Sequence, residues 1–262
     1  MSSILVVKYG GHAMTDESGQ FAAAISAAMA HGLRVVVVHG GGPQINASIA
    51  EQGITPRFIG GFRYTDSQTL KVVEDVLTRQ VGPAIADQLN SHGIAAKVLS
   101  GRSIIAASKL THLVDGTPAD LGFVGEVSSI STVEILDVLE SGKLPVISPV
   151  ASEVGTGHAL NINADLAAAA IAGALDAQAL VVMTDVAGIY RSWPDKTSLI
   201  DSITAHELHE IKDSFTDGMA PKVAACLEAL NHGARAVRII DGTDPQAFAL
   251  ALDNTGGTLV TA

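Results

Sequence analysis

Ile4-Leu5-Val6-Val7-Lys8-Tyr9-Gly10-Gly11 is the stretch that decides the fold. A short apolar run reaches one lysine and two glycines, and Thr15-Asp16-Glu17 then offers polar residues that can start a helix. The same order returns at Val35-Val36-Val37-Val38-His39-Gly40-Gly41-Gly42, followed by Pro43 and a second helical stretch. Buried strands that end on glycine and pass into helices build α/β sheets. Glycine lets backbone N–H groups approach an anion closely, and helix N-termini favour negative charge. Two such turns near the start of one chain point to an anionic ligand held across neighbouring strand ends.

The rest of the chain suits that frame. Its 262 residues allow one large α/β domain or two smaller lobes. With 47% hydrophobic and only 16% charged residues, it is rich in core and not disordered. No apolar run approaches the ~20 residues of a membrane span. No basic segment leads into an apolar one, and strand residues begin at Ile4, which predicts a cytoplasmic protein without a signal peptide. A net charge of −11 argues against nucleic acid and makes each isolated cation notable. Cys226 is the one cysteine, so no internal disulfide can form; it reads as a small buried apolar residue.

Periodicity and breaker residues predict strands at 4–8, 35–38, 94–99, 144–150, 179–183, 236–240 and 258–260. Helices are predicted at about 17–31, 43–52, 67–91, 131–142, 161–175, 204–212, 219–232 and 245–252. Asp66 should cap the long helix and Pro83 should kink it. Short β-like pieces between 104 and 127 suggest a small antiparallel excursion on one sheet edge, and 189–203 reads as a long connection. Strands alternating with helices predict a three-layer αβα sandwich with a mainly parallel open sheet. A soft division near residue 176 separates an N-terminal lobe (about 1–176) from a C-terminal lobe (about 177–262).

Several signatures are missing: a G-x-x-x-x-G-K-[ST] loop, a G-x-G-x-x-G fingerprint, a G-x-S-x-G elbow and any paired Cys/His zinc site. Anion chemistry must rest on other residues. Lys8 points either to solvent at a sheet edge or into the glycine crevice, where ligands of open α/β sheets bind. Gly10, Gly11, Gly41 and Gly42 are tight turns, anion donors, or both. Asn161-x-Asn163-x-Asp165 is either ordinary helix capping or a polar cluster, in which Asp165 could position a lysine. Lys222 in Gly218-Met219-Ala220-Pro221-Lys222 sits at a helix start, which the helix dipole disfavours unless an anion is bound. Thr184-Asp185 ends a strand and is either a cap or part of a nucleotide pocket. The histidines show no metal-ligand spacing.

Taken in order, these segments resemble the amino acid kinase family, and in particular its acetylglutamate-phosphorylating members. The resemblance rests on Val7-Lys8-Tyr9-Gly10-Gly11-His12-Ala13-Met14, His39-Gly40-Gly41-Gly42-Pro43-Gln44-Ile45 and Gly61-Phe62-Arg63-Tyr64-Thr65-Asp66. Further on it rests on Gly125-Glu126-Val127, Asn161 to Asp165, Thr184-Asp185-Val186-Ala187-Gly188 and Gly218 to Val223. It implies transfer of a phosphoryl group from ATP to the γ-carboxylate of N-acetyl-L-glutamate, a step of arginine biosynthesis. By the same resemblance, Lys8 and Lys222 flank the transferring group and Asp165 orients both. Gly41 and Gly42 serve the γ-carboxylate, Gly10 and Gly11 the nucleotide phosphates, and Arg63 and Asn161 the substrate's α-carboxylate region. Thr184, Asp185, Gly188 and Tyr190 are implied near the nucleotide, with Mg²⁺ held mainly by phosphates and no dedicated metal cage.

A carboxylate nucleophile is already ionised at neutral pH, so positioning and charge neutralisation suffice without a general base. His12, Phe62 and Tyr64 depart from the family pattern where the acyl-amino-acid pocket is expected. So do Ser100-Gly101-Arg102-Ser103 and the segment from Asp241 to Gln246. With strand residues starting at Ile4, the resemblance implies a homodimer that arginine inhibits poorly. Two alternatives stay open: a kinase acting on glutamate or α-aminoadipate borne by a carrier protein, and a non-catalytic anion-binding regulator of the same fold.

Overall fold

The structure, a computed structural model, describes residues 3–11, 14, 19–113, 116–215, 219–231, 233–244 and 246–262. His12, the expected helix start at Thr15-Asp16-Glu17, and Gly218 lie outside the described residues.

The first half of the chain runs β1 (Ile4–Tyr9), α1 (Gln20–Ala30), β2 (Arg34–His39), α2 (Gly42–Glu51), a small hairpin β3 (Phe58–Ile59) and β4 (Phe62–Arg63), then α3 (Ser67–Asp75) and α4 (Gly82–Ser91). Next come β5 (Ala96–Leu99), α5 (Gly101–Ile104), β6 (Ile105–Lys109), β7 (Val124–Ile130), α6 (Val133–Glu140), β8 (Leu144–Ile147), β9 (Val150–Glu153) and β10 (Ala159–Ile162). The second half holds α7 (Ala164–Ala174), β11 (Ala179–Thr184), β12 (Ser202–Thr204), α8 (Ala205–Ile211), α9 (Ala220–Asn231), β13 (Ala236–Asp241), α10 (Ala247–Leu252) and β14 (Thr258–Thr261).

Eight strands form one sheet in the order β12-β14-β13-β11-β1-β2-β8-β5, and only the β13–β14 pair is antiparallel. The predicted α/β architecture with a mainly parallel sheet is what the chain adopts. Strand alternation sorts side chains to two faces. Ile4 and Val6 of β1 join one core with α6, α7, α8 and α9, while Leu5, Val7 and Tyr9 join the other with α1, α3, α4 and α10. Lys8 therefore shares the face of Ile4 and Val6, toward α7. Tyr9 lies on the opposite face, where its ring stacks on Phe21 of α1 at 3.7 Å between centroids.

Four expectations need correction. The β-like residues between 104 and 127 do not make an excursion on the main sheet's edge. With β9 and β10 they close a separate four-stranded unit, β10-β7-β6-β9. Each of β9 and β10 has only four residues, too few to show a period, so their pairing is invisible locally. The long helix does not run on unchanged to Pro83. Residues 76–81 widen into a π-helical segment between α3 and α4, and the caps Val76 and Gly82 both keep right-handed helical backbone. Proline lacks an N–H, and the wider turn before it accommodates that loss. The helix predicted from 131 starts later, at Val133: Thr132 holds the cap position without a side-chain bond, and the Ser131 N–H donates to the Ile104 carbonyl. The long connection 189–203 contains a 3₁₀ turn at Lys196–Ser198 and the start of β12. Asp66 does cap α3, accepting from the Thr69 N–H at 2.7 Å.

Candidate active site

The parallel strands β11, β1 and β2 lie side by side and all end at the same edge. The turns they feed therefore meet. Gly10 after β1 and Gly40 after β2 approach so closely that a Cβ on either glycine would come within about 3.5 Å of the other's Cα. The Gly40 N–H donates to the Tyr9 carbonyl at 2.7 Å, locking the two turns together. An added methyl on either glycine would make ordinary van der Waals contact with the other turn.

Lys8 comes out of this junction on the α7 face. Its Nζ lies 3.0 Å from Oδ1 of Asp165 and donates to the Met183 carbonyl of β11 at 3.4 Å. The Lys8–Asp165 contact is a charge contact without hydrogen-bond angles. Both side chains are mostly buried, 12% and 17% exposed, so little water screens the pair. The ammonium folds over Gly10, where an added Cβ would sit 3.0 Å from Lys8 Cε and Nζ.

Asp165 is placed by the start of α7. Asn163 caps that helix, its Oδ1 accepting from the N–H groups of Asp165 at 2.8 Å and Leu166 at 3.2 Å. The negative carboxylate in the first turn suits the helix dipole. α9, which carries Lys222, packs directly on α7. The Cys226 thiol, one turn beyond Lys222, is buried between them. Burial and the Asp165 carboxylate raise its pKa while the Lys222 ammonium lowers it. Asp165, which contacts Lys8, and Lys222 thus both act on the Cys226 thiol.

The substrate-side residues form a second cluster. Gly41 caps α2 without any side-chain bond, with Pro43 in the first turn, so the leading N–H groups of α2 have no acceptor within the helix. A Cβ at Gly41 would meet Leu77 of the π segment at 2.6 Å, whereas at Gly42 it would meet nothing within 4 Å. Gly42 therefore faces open space. Arg63 in β4 lies over the Phe58 ring at 4.8 Å, its Nη1 is buried without a partner, and burial pushes its pKa down. The Thr65 hydroxyl donates to the Arg63 carbonyl at 2.8 Å and accepts from Nδ2 of Asn161 at 3.1 Å. Thr65 thus links two predicted residues that lie far apart in sequence.

The expected nucleotide residues are divided. Gly11 has φ +64, and a Cβ there would meet Oδ1 of Asp185 at 2.7 Å, so Asp185 reaches across to the β1 turn. Thr184 ends β11 and is buried, its carbonyl accepting from the Gly242 N–H at 2.8 Å. Gly188 packs against Thr258 and Leu199, and Tyr190 is buried edge-on to Trp193 at 5.1 Å. These two lie against β14 and the 189–203 connection.

Sequence reasoning gave no role to Thr65, to the Met183 carbonyl or to His39. His39 is fully buried. Its Nδ1–H donates to the Gly40 carbonyl at 2.8 Å, while Nε2 faces Gly82 without a partner. Burial pushes its pKa down to about 4, so it stays neutral beside the glycine turn. The buried side-chain oxygen of Gln44, two residues past Gly42, is also unpartnered. The run from His39 to Gln44 was the available signal for both. Among the described residues, no group of three or more His, Cys, Asp or Glu side chains is placed to hold a metal.

Residues 3–241 match the model of the amino acid kinase family. The chain is 45% identical to the acetylglutamate kinase of Arthrobacter sp. (strain FB24), over 97% of this chain and 84% of that protein. It is 44% identical to the acetylglutamate kinase of Paenarthrobacter aurescens (strain TC1), with the same coverage. Among solved structures, smu.665 from Streptococcus mutans UA159 superposes with a TM-score of 0.83 at 31% identity, covering all of both chains.

Proposed function

The chain belongs to the amino acid kinase family, and from that premise we propose that it transfers the γ-phosphoryl group of ATP to the γ-carboxylate of N-acetyl-L-glutamate, in arginine biosynthesis. The observation that carries this reading is the Lys8–Asp165 pair, 3.0 Å apart where the Gly10 and Gly40 turns touch.

The acceptor carboxylate is ionised at neutral pH, so the bond-forming step needs no base. One carboxylate oxygen attacks the γ-phosphorus as the bond to the β,γ-bridging oxygen breaks, and ADP leaves with that electron pair. The obstacle is bringing two anions together. The open N-terminus of α2 at Gly41 and Gly42 offers N–H donors to the acceptor carboxylate, and Arg63 with Asn161 takes the substrate's α-carboxylate end. Gly10 and Gly11 receive the nucleotide phosphates. The Lys8 and Lys222 ammonium groups neutralise charge on the phosphoryl oxygens as it shifts toward the leaving group. Asp165 holds Lys8 between the two turns. Phosphate oxygens of the nucleotide would hold Mg²⁺, which would supply further charge neutralisation. A site made of cations and backbone amides suits that division of labour.

We assign a substrate lobe to about 1–176 and a nucleotide lobe to about 177–262, a division that would fall at the β1–β11 pair. We assign a cytoplasmic homodimer on the family resemblance; no helix among the described residues is long and apolar enough to cross a membrane. ATP consumption measured with N-acetylglutamate, glutamate, aspartate and α-aminoadipate tests the function. Turnover with N-acetylglutamate well above the others supports it. Equal rates with all four, or none, would overturn it, and light scattering tests the dimer.

A further inference from the structure

A second polar centre lies at the opposite end of the sheet from the lysines. Arg238 is in the middle of β13, on the face of Ile240 and α10, and is only 5% exposed. Nη1 donates to the Gly256 carbonyl at 2.6 Å, and Nη2 is buried without a partner. The guanidinium forms part of the wall of a cavity of about 230 Å³ beneath the C-terminal end of α10. The rest of the wall mixes aliphatic side chains, among them Leu5, Val181 and Leu252, with the uncharged polar Gln178, Asn254 and Thr261. No acidic side chain among the described residues lines it.

An arginine stays charged in proteins, so burial cannot be relieved by losing the proton. A buried charge needs a partner, and one carbonyl leaves most of the guanidinium fork unmatched. The partner that matches a planar fork is a carboxylate, and the aliphatic side chains of the wall suit a short hydrocarbon body. A phosphate dianion would bring two charges to the single cation in this wall. The volume is too small for a nucleotide.

We infer that this cavity is a binding site for a small aliphatic carboxylate, with Arg238 as its anchor. The site is separate from the kinase centre. Leu5 and Val181 lie near the starts of β1 and β11, the strands whose far ends carry Lys8 and Thr184. It does not depend on the identity of the phosphoryl acceptor.

The test uses the full chain, with the kinase site saturated by N-acetylglutamate and a non-hydrolysable ATP analogue, and isothermal titration calorimetry with hexanoate as the probe. Binding is expected at one equivalent, with neither hexanol nor hexylamine replacing it. Arg238→Leu should weaken hexanoate at least tenfold. Ala236→Met, which fills the cavity and keeps the arginine, should also abolish binding while ATP turnover stays at the parent level, so the test survives if the arginine variant fails to fold. Absence of hexanoate binding to the parent at millimolar concentration would overturn the assignment. So would undiminished binding in Ala236→Met or equal binding of hexylamine.

Discussion

The carboxylate of Asp165 stands 3.0 Å from the ammonium of Lys8, although one opens α7 and the other ends β1. Strand alternation turns Lys8 toward α7, and the Asn163 cap fixes where that helix begins. The contact is the joint product of a two-residue and a 3.6-residue period.

Removing either lysine should disable transfer. Lys8→Ala and Lys222→Ala are expected to lower kcat on the order of 10²-fold or more, with little change in melting temperature. Asp165→Asn should keep the fold but release Lys8, lowering kcat less than the lysine deletion. Steady-state kinetics beside a thermal melt separates these effects, and near-parent turnover in both lysine variants would refute their role.

Gly10→Ala offers a finer probe. Gly10 has no positive φ, so alanine does not strain the backbone there. Its methyl would sit 3.0 Å from the end of the Lys8 side chain and displace the ammonium. A fall in kcat about tenfold is expected from a misplaced cation, with the fold intact by circular dichroism. Unchanged kcat would show that the position of Lys8 does not matter.

Thr65→Val removes the hydroxyl that bridges Arg63 and Asn161 while preserving shape. Leaving those buried groups unmatched costs about 1–3 kcal/mol. The loss should appear as a raised KM for N-acetylglutamate, with the KM for ATP unchanged. Equal shifts in both constants would place Thr65 outside the acceptor site.

His39 predicts a pH dependence of folding. Its pKa is about 4 in the folded chain against an ordinary 6.5, so between these values the unfolded chain binds a proton the folded one refuses. Stability is then fully present above pH 6.5 and falls as pH drops toward 4, by about 3 kcal/mol over the window. Urea unfolding at pH 7.5 and 4.5 reads the fall directly. His39→Leu should flatten it; an equal slope in that variant would assign the effect to other groups. Asp66, whose pKa is held low by its cap to the Thr69 N–H, acts only below the usual carboxylate range.

Most of the fold was legible because it is written locally. Runs such as Val35 to Val38 ending on glycine predict buried strands, and Asp66 before an apolar period predicts a helix start. Gly188 and Tyr190 read as nucleotide residues on motif order alone, and that order does not reveal that Gly188 packs on Thr258 or that Tyr190 stands edge-on to Trp193. The four-stranded unit escaped because β9 and β10 are short and their pairings with β6 and β7 join distant parts of the chain that no local pattern records.

By itself, then, the sequence determined the alternation of strands and helices, the glycine turns, and which few cations stand at strand ends or helix starts. These follow from backbone sterics and short-range periodicity. Only the tertiary structure decided which of those charges meet. Strand order brings β11, β1 and β2 together, helix packing sets α9 on α7, and Thr65 joins Arg63 to Asn161. It also leaves Arg238 buried in a partly aliphatic wall. A charge feels its partners through distance and burial, and both are set by long-range packing that no window of neighbouring residues contains.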